Sequence, residues 1–332
     1  MAHPSRRDVL RLGLALSVVG LPALSGCTVS DPTVQDPAAT GTFEPTPTEA
    51  SGSLSSTATP TTTPTISGAQ RGSELEIGLA DLATAIRRRS GLSKARRAML
   101  SDIADAHSAH ARALSDWVPT KPATKPGGSV PAQLGKLARS ERAAARRYRR
   151  TALASSGADA LLWSSLSLAA TGFSAVSDSS PPEVGRLRSP KPAALLSDTH
   201  ATQELVKQLH AVVYGYQLAI GTLPVGSKSH NRAVRELEQH RAIRDRQIAW
   251  LIRRSAEVPA AEPAYVPSVN PTNGRSAGKL IMKMLVALQP FCGLSIAAAD
   301  DHDRQRAFDL LATTAVRSHT WGAPLDAWPG YA

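Results

Sequence analysis

From residue 71 onward the apolar residues recur at three- and four-residue spacing, and each such segment ends at a Gly or Pro. A chain with this rhythm buries its apolar side by packing helix on helix. The apolar–polar alternation of half-buried strands is absent. The spacing predicts a first set of helices over roughly 73–90, 93–117, 131–154 and 158–177. Gly91, the stretch from Pro119 to Gly128, and Gly157 separate them. A second set is expected over roughly 198–221, 227–254, 273–299 and 301–320. Pro259, Pro263, Pro267 and Pro271 divide this set, and Pro290 should kink its third helix. The expected fold is therefore all-α, two consecutive four-helix bundles, with one merged eight-helix domain as the alternative.

What precedes the helices cannot fold in the same way. Residues 28–70 are dominated by Thr, Ser, Pro, Ala and Gly and offer too little apolar surface to offset chain entropy. A disordered linker is expected, with a reach on the order of 100 Å if extended. Its Thr/Pro content also suits O-glycosylation. Ahead of it, Arg6, Arg7 and Arg11 make a basic start, and Leu12 to Leu21 form a short apolar run. Leu24-Ser25-Gly26-Cys27 follows. The run is too short to span a bilayer. It resembles the signal of exported bacterial lipoproteins, with the last four residues as the lipobox. That resemblance implies cleavage before Cys27, acyl chains such as palmitate on Cys27, and attachment at the outer face of the cytoplasmic membrane. The Arg6-Arg7 pair resembles a twin-arginine signal, and general secretion stays open. The expected divisions are a signal over 1–26, lipidated Cys27 with linker over 27–70, bundles over 71–178 and 198–332, and a connector over 179–197. Only two cysteines are present, so with Cys27 lipidated, Cys292 has no partner within the chain.

The linker holds four acids and no base, so the helical part is more basic than the whole-chain +11. Arg142, Arg146 and Arg149 stand in the densest basic stretch and are candidate anion-binding residues. Partners of that kind are an anionic wall polymer, lipid head groups or an acidic envelope protein. Nucleic acid is not expected outside the cell, and few aromatics are present for base stacking.

The second set carries Leu209-His210-Ala211-Val212-Val213-Tyr214-Gly215-Tyr216, then His240-Arg241-Ala242-Ile243-Arg244-Asp245, Pro263-Ala264-Tyr265 and Arg317-Ser318-His319-Thr320-Trp321. In this order they resemble a family of ferritin-like domains of unknown function in exported proteins of high-GC bacteria. The first set resembles a divergent relative, through His107-Ser108-Ala109-His110 and Glu141-Arg142-Ala143-Ala144-Ala145-Arg146-Arg147-Tyr148. The resemblance implies a ferritin-like bundle. Metal-binding bundles of that kind take a Glu from each of two helices and Glu-x-x-His from each of the others. No Glu here has His three residues later, and Leu209 and Gln289 stand where the resemblance implies Glu.

A helical wheel places His107 and His110 on the face of Met99 and Ile103, and Glu141 on the face of Leu137 and Tyr148. Two readings stay open for these three: a remnant transition-metal site, or a buried Glu–His hydrogen-bonded pair. On the sixth helix Arg241 and Arg244 lie near the apolar face, where Asp245 or Asp301 could pair with them. Cys292 shares an apolar face with Leu285 and Leu288 and reads as a small core hydrophobe. No nucleophile elbow and no phosphate loop is present. The expectation is a lipid-anchored, non-catalytic binding or scaffold module without a cofactor. A metal-binding or redox protein is the alternative, and a binder of anionic wall polymer or lipid a third.

Overall fold

Polar caps start most of the helices. The Ser93, Ser129, Ser197 and Ser227 side chains each accept a backbone N–H from the first helical turn. Asn273 forms a capping box with Ser276, and Asp300 accepts from His302 and Asp303. The computed structural model describes residues 68–115, 127–177, 182–185, 187, 190 and 196–332. Arg6, Arg7, Leu24, Ser25, Gly26, Cys27 and nearly all of the linker lie outside them.

Eight α-helices are described: α1 Gly68–Arg87, α2 Lys94–Leu114, α3 Val130–Leu153, α4 Gly157–Phe173, α5 Asp198–Ile220, α6 Lys228–Arg253, α7 Gly274–Ala298 and α8 Asp301–Thr320. A 3₁₀ turn, Ser174–Ser177, extends α4. The fold is all-α helical bundles, as the periodicity predicts. α1 begins several residues before the expected start, and α7 runs unbroken through Pro290.

The two sets have separate cores. In the first, α1 packs on α2 and α3 on α4, around Leu79, Ile103, Leu137, Tyr148, Leu166 and Phe173. In the second, α7 lies between α5 and α8, with α6 against α5, around Leu209, Tyr216, Leu285 and Leu288. α4 joins them. It has no charged residue after Asp159, and its buried positions run all round the helix. Such a helix needs partners on both sides: it packs on α3 and on α7, and its Ala160 belongs to the second core.

The C-terminal tail is the second fastening. Leu325 exchanges backbone hydrogen bonds with Glu183 and Gly185 in a parallel bridge. Beyond it, Ala327 and Trp328 enter the core of the first set. Gly330 has φ +92° and lies against Gly293 of α7, so close that a Cβ on Gly293 would run into the Gly330 carbonyl. The two halves are thus packed through α4 and clasped by the tail.

Candidate metal centre in the first helix set

Three helices of the first set deliver ionisable side chains to its centre. On α1, Ser73, Glu76, Ala80 and Ala83 lie on one buried face. On α2 that face carries Met99, Ile103, His107 and His110. On α3 it carries Leu137, Glu141, Ala145 and Tyr148. Glu76, His107 and Glu141 are 0 % exposed and His110 is 1 % exposed. The inward placement of His107, His110 and Glu141 is as the sequence predicts. Glu76 is an addition.

The imidazoles meet the carboxylates with a specific polarity. Nδ1 of His107 lies 2.6 Å from Oε2 of Glu76, and Nδ1 of His110 lies 3.0 Å from the same oxygen. Nε2 of His107 lies 2.8 Å from Oε1 of Glu141. Nε2 of His110 donates to the Ala327 carbonyl at 2.8 Å. Oε1 of Glu76 and Oε2 of Glu141 are buried and have no hydrogen-bond partner among the described residues. Phe173 packs edge-on to the His107 ring, and Trp328 edge-on to His110.

Burial and charge oppose each other here. Burial alone would drive His107 neutral, but the Glu141 and Glu76 carboxylates outweigh it and raise its pKa to about 10. Burial would likewise raise Glu76, but His107 and His110 hold it well below the ordinary carboxylate range. Glu141 is raised, burial being the largest cause and His107 opposing it. Burial, with Glu76 alongside, also raises the Tyr148 hydroxyl, which stays protonated.

The donors fit one metal ion. Glu76, His107 and His110 each offer one ligand atom, and these atoms lie within 4.8 Å of one another. Both Nε2 atoms already face acceptors, the arrangement by which an outer carboxylate or carbonyl fixes the tautomer of a ligating His. With an ion there, Glu141 would orient His107 rather than ligate. A two-metal site needs more carboxylates. The buried face of α2 offers His107-x-x-His110 and no carboxylate, and on α4 the Ser164 and Ser167 hydroxyls are bonded to the Ala160 and Ala145 carbonyls.

The second set has a polar centre of another kind. Oε2 of Glu236 accepts from the Tyr216 hydroxyl at 2.8 Å and from Nε1 of Trp321 at 2.7 Å. His240 donates to the Glu236 carbonyl, and burial pushes its pKa down to about 4, so it is neutral. Nε2 of Gln289 donates to Ser318, and Leu209 is in the apolar core. One carboxylate among neutral groups is a hydrogen-bonded core and offers no metal set among the described residues.

The remaining candidates fall elsewhere. Arg142, Arg146 and Arg149 are on the exposed face of α3, and Arg149 pairs with Asp309 at 3.6 Å. Arg241 pairs with Glu238 and Arg244 with Asp245, while Asp301 serves Arg304. Cys292 is fully buried, and burial pushes its thiol up to about 12. Glu76, which the sequence reading does not include, lies on α1, outside the two helices that carry the other three residues. Its spacing from Ser73, Ala80 and Ala83 would have placed it inward, and Glu74 outward.

Residues 201–332, from the first turn of α5 through α8 and the tail, match the model of a domain of unknown function, DUF4439. That stretch is the second helix set. No curated protein matches the chain. Among solved structures, a conserved hypothetical protein, rv2844, from Mycobacterium tuberculosis is similar at 26 % identity. The match covers 37 % of this chain and 93 % of that one, with a TM-score of 0.36.

Proposed function

We propose that this is an exported, lipid-tethered, non-catalytic binding module whose first helix set holds one divalent transition-metal ion through Glu76, His107 and His110. One observation carries the metal reading: two imidazoles present Nδ1 to a single carboxylate oxygen, while each Nε2 faces its own acceptor. Two neutral imidazoles and one carboxylate suit zinc or a neighbouring first-row ion. The ion would neutralise Glu76 and join α1 to α2. With all four side chains 0–1 % exposed, no substrate reaches the ligands while the bundle is closed. That burial supports a binding or structural role over turnover.

A second reading has its own support. The imidazolium of His107 between two carboxylates is a self-sufficient ion network, with a pKa raised to about 10. Metal analysis separates the two. Protein treated with chelator and titrated with Co²⁺ should take up one ion per chain, with a visible d–d absorption band. His107→Ala and His110→Ala should abolish that uptake. Glu141→Gln should weaken it about 10- to 100-fold, as for an outer-shell partner. Binding must also expel the His107 proton, so affinity should rise about tenfold per pH unit below pH 10. Substoichiometric, pH-independent uptake would leave the ion network as the answer.

The tether rests on Leu24-Ser25-Gly26-Cys27 and the linker behind it. Cys27→Ser is expected to move the protein from the membrane fraction to the soluble one. Retention in the membrane fraction would contradict lipid attachment.

A further inference from the structure

Every exposed charge on α3 is basic. Lys136, Arg139, Arg142, Arg146, Arg147 and Arg150 are all exposed there, and the only acid of the helix, Glu141, is buried. At 100° per residue these six, with Arg149, cover an arc of about 160°, opposite the arc that enters the core. The stripe from Lys136 to Arg150 is about 21 Å long. Arg89 donates to the Gly128 carbonyl just before α3, which brings the basic end of α1 to the foot of the stripe.

A solvated helix face is the plain alternative, and this protein shows what such a face looks like. On α6, Arg241 pairs with Glu238, and on α8, Arg306 pairs with Asp303, each three residues apart. On α3 the neighbours at that spacing are like charges, Arg139 with Arg142, and at four residues Arg142 with Arg146 and Arg146 with Arg150. Such pairs destabilise an isolated helix. An anionic surface laid along the stripe would relieve them.

We propose that this face docks on a bilayer containing anionic phospholipid. The choice of a bilayer over a dissolved polymer rests on the lipid-tether reading above: Cys27 would hold the body within on the order of 100 Å of a membrane. A stripe that runs along a single helix also matches a plane. A polybasic surface is then the second attachment beside the acyl chains.

The test uses the chain from residue 27 onward with Cys27→Ser, so that binding owes nothing to acylation. Vesicles of phosphatidylcholine with phosphatidylglycerol should bind it, vesicles of phosphatidylcholine alone should not, and high salt should release it. Each neutralised arginine should weaken binding about fivefold, so Arg142→Gln with Arg146→Gln and Arg150→Gln should cost on the order of a hundredfold. All three are exposed, and circular dichroism should show unchanged helix content. Equal binding to both vesicles, or a triple variant that binds like its parent, would overturn lipid docking. So would tight binding to soluble poly(glycerol phosphate) with none to vesicles. Failure of the tether itself is read separately, from membrane retention of the acylated protein.

Discussion

Replacing Glu76 with Ala is expected to abolish metal binding and to lower stability by about 3–5 kcal/mol, the usual cost of removing one partner from a buried ionic network. Oε2 of Glu76 faces both Nδ1 atoms, so its loss takes away their common partner in a fully buried site. Glu76→Gln keeps the volume and should fold, yet still lose the ion. The pH dependence gives an independent check. In metal-free protein His107 is raised from its ordinary 6.5 to about 10. Its contribution is therefore fully present below about 6.5 and is lost as pH rises through about 10. Glu76 is depressed, so its contribution is present above 4.5 and disappears only in strong acid. The melting temperature of the chelated protein should thus fall between pH 7 and pH 10. Bound metal should flatten that fall, because a ligating His107 is already neutral and keeps only the Nε2 proton it gives to Glu141. Glu76→Gln should shift it to lower pH, since one of the two carboxylates holding the imidazolium is gone. A melting temperature that is flat across this range in chelated protein would rule out the charged network.

The helices were legible in the sequence because period, caps and breakers agree. Ser93, Ser129 and Ser227 each stand before an apolar-periodic run, and each caps a helix. The candidate site was partly legible for the same reason. The wheel that put His107 and His110 beside Ile103, and Glu141 beside Tyr148, needs only local geometry. Its meeting with Glu76 depends on how α1 packs against α2 and α3, which local spacing does not specify. Nor does any spacing pattern connect His110 to the Ala327 carbonyl, a backbone group far along the chain. The joining of the two sets did leave a trace. α4, with no charge after Asp159, is too apolar to be the outer wall of an isolated bundle, and it is the helix shared between the cores.

Trp328→Ala should show how far the metal site depends on that joining. The side chain is 2 % exposed, and it stands in the first core although it follows the helices of the second. Truncating a buried Trp leaves a large cavity and typically costs about 3–5 kcal/mol. The more informative effect is on the site. The Trp328 ring centroid lies 4.6 Å from that of His110, and the preceding residue supplies the acceptor for His110 Nε2. Loosening the tail should therefore free the imidazole and weaken Co²⁺ binding about 10- to 100-fold, as removal of an outer-shell partner does. Trp321→Ala is the control. That ring donates to Glu236 in the second set, so its loss should lower the melting temperature and leave metal affinity unchanged. If both variants lose stability and neither loses affinity, the tail is a packing strap and His110 is positioned by α2 alone. If only Trp328→Ala loses affinity, the metal site belongs to both halves: its ligands come from the first set, and the orientation of one of them comes from the end of the second.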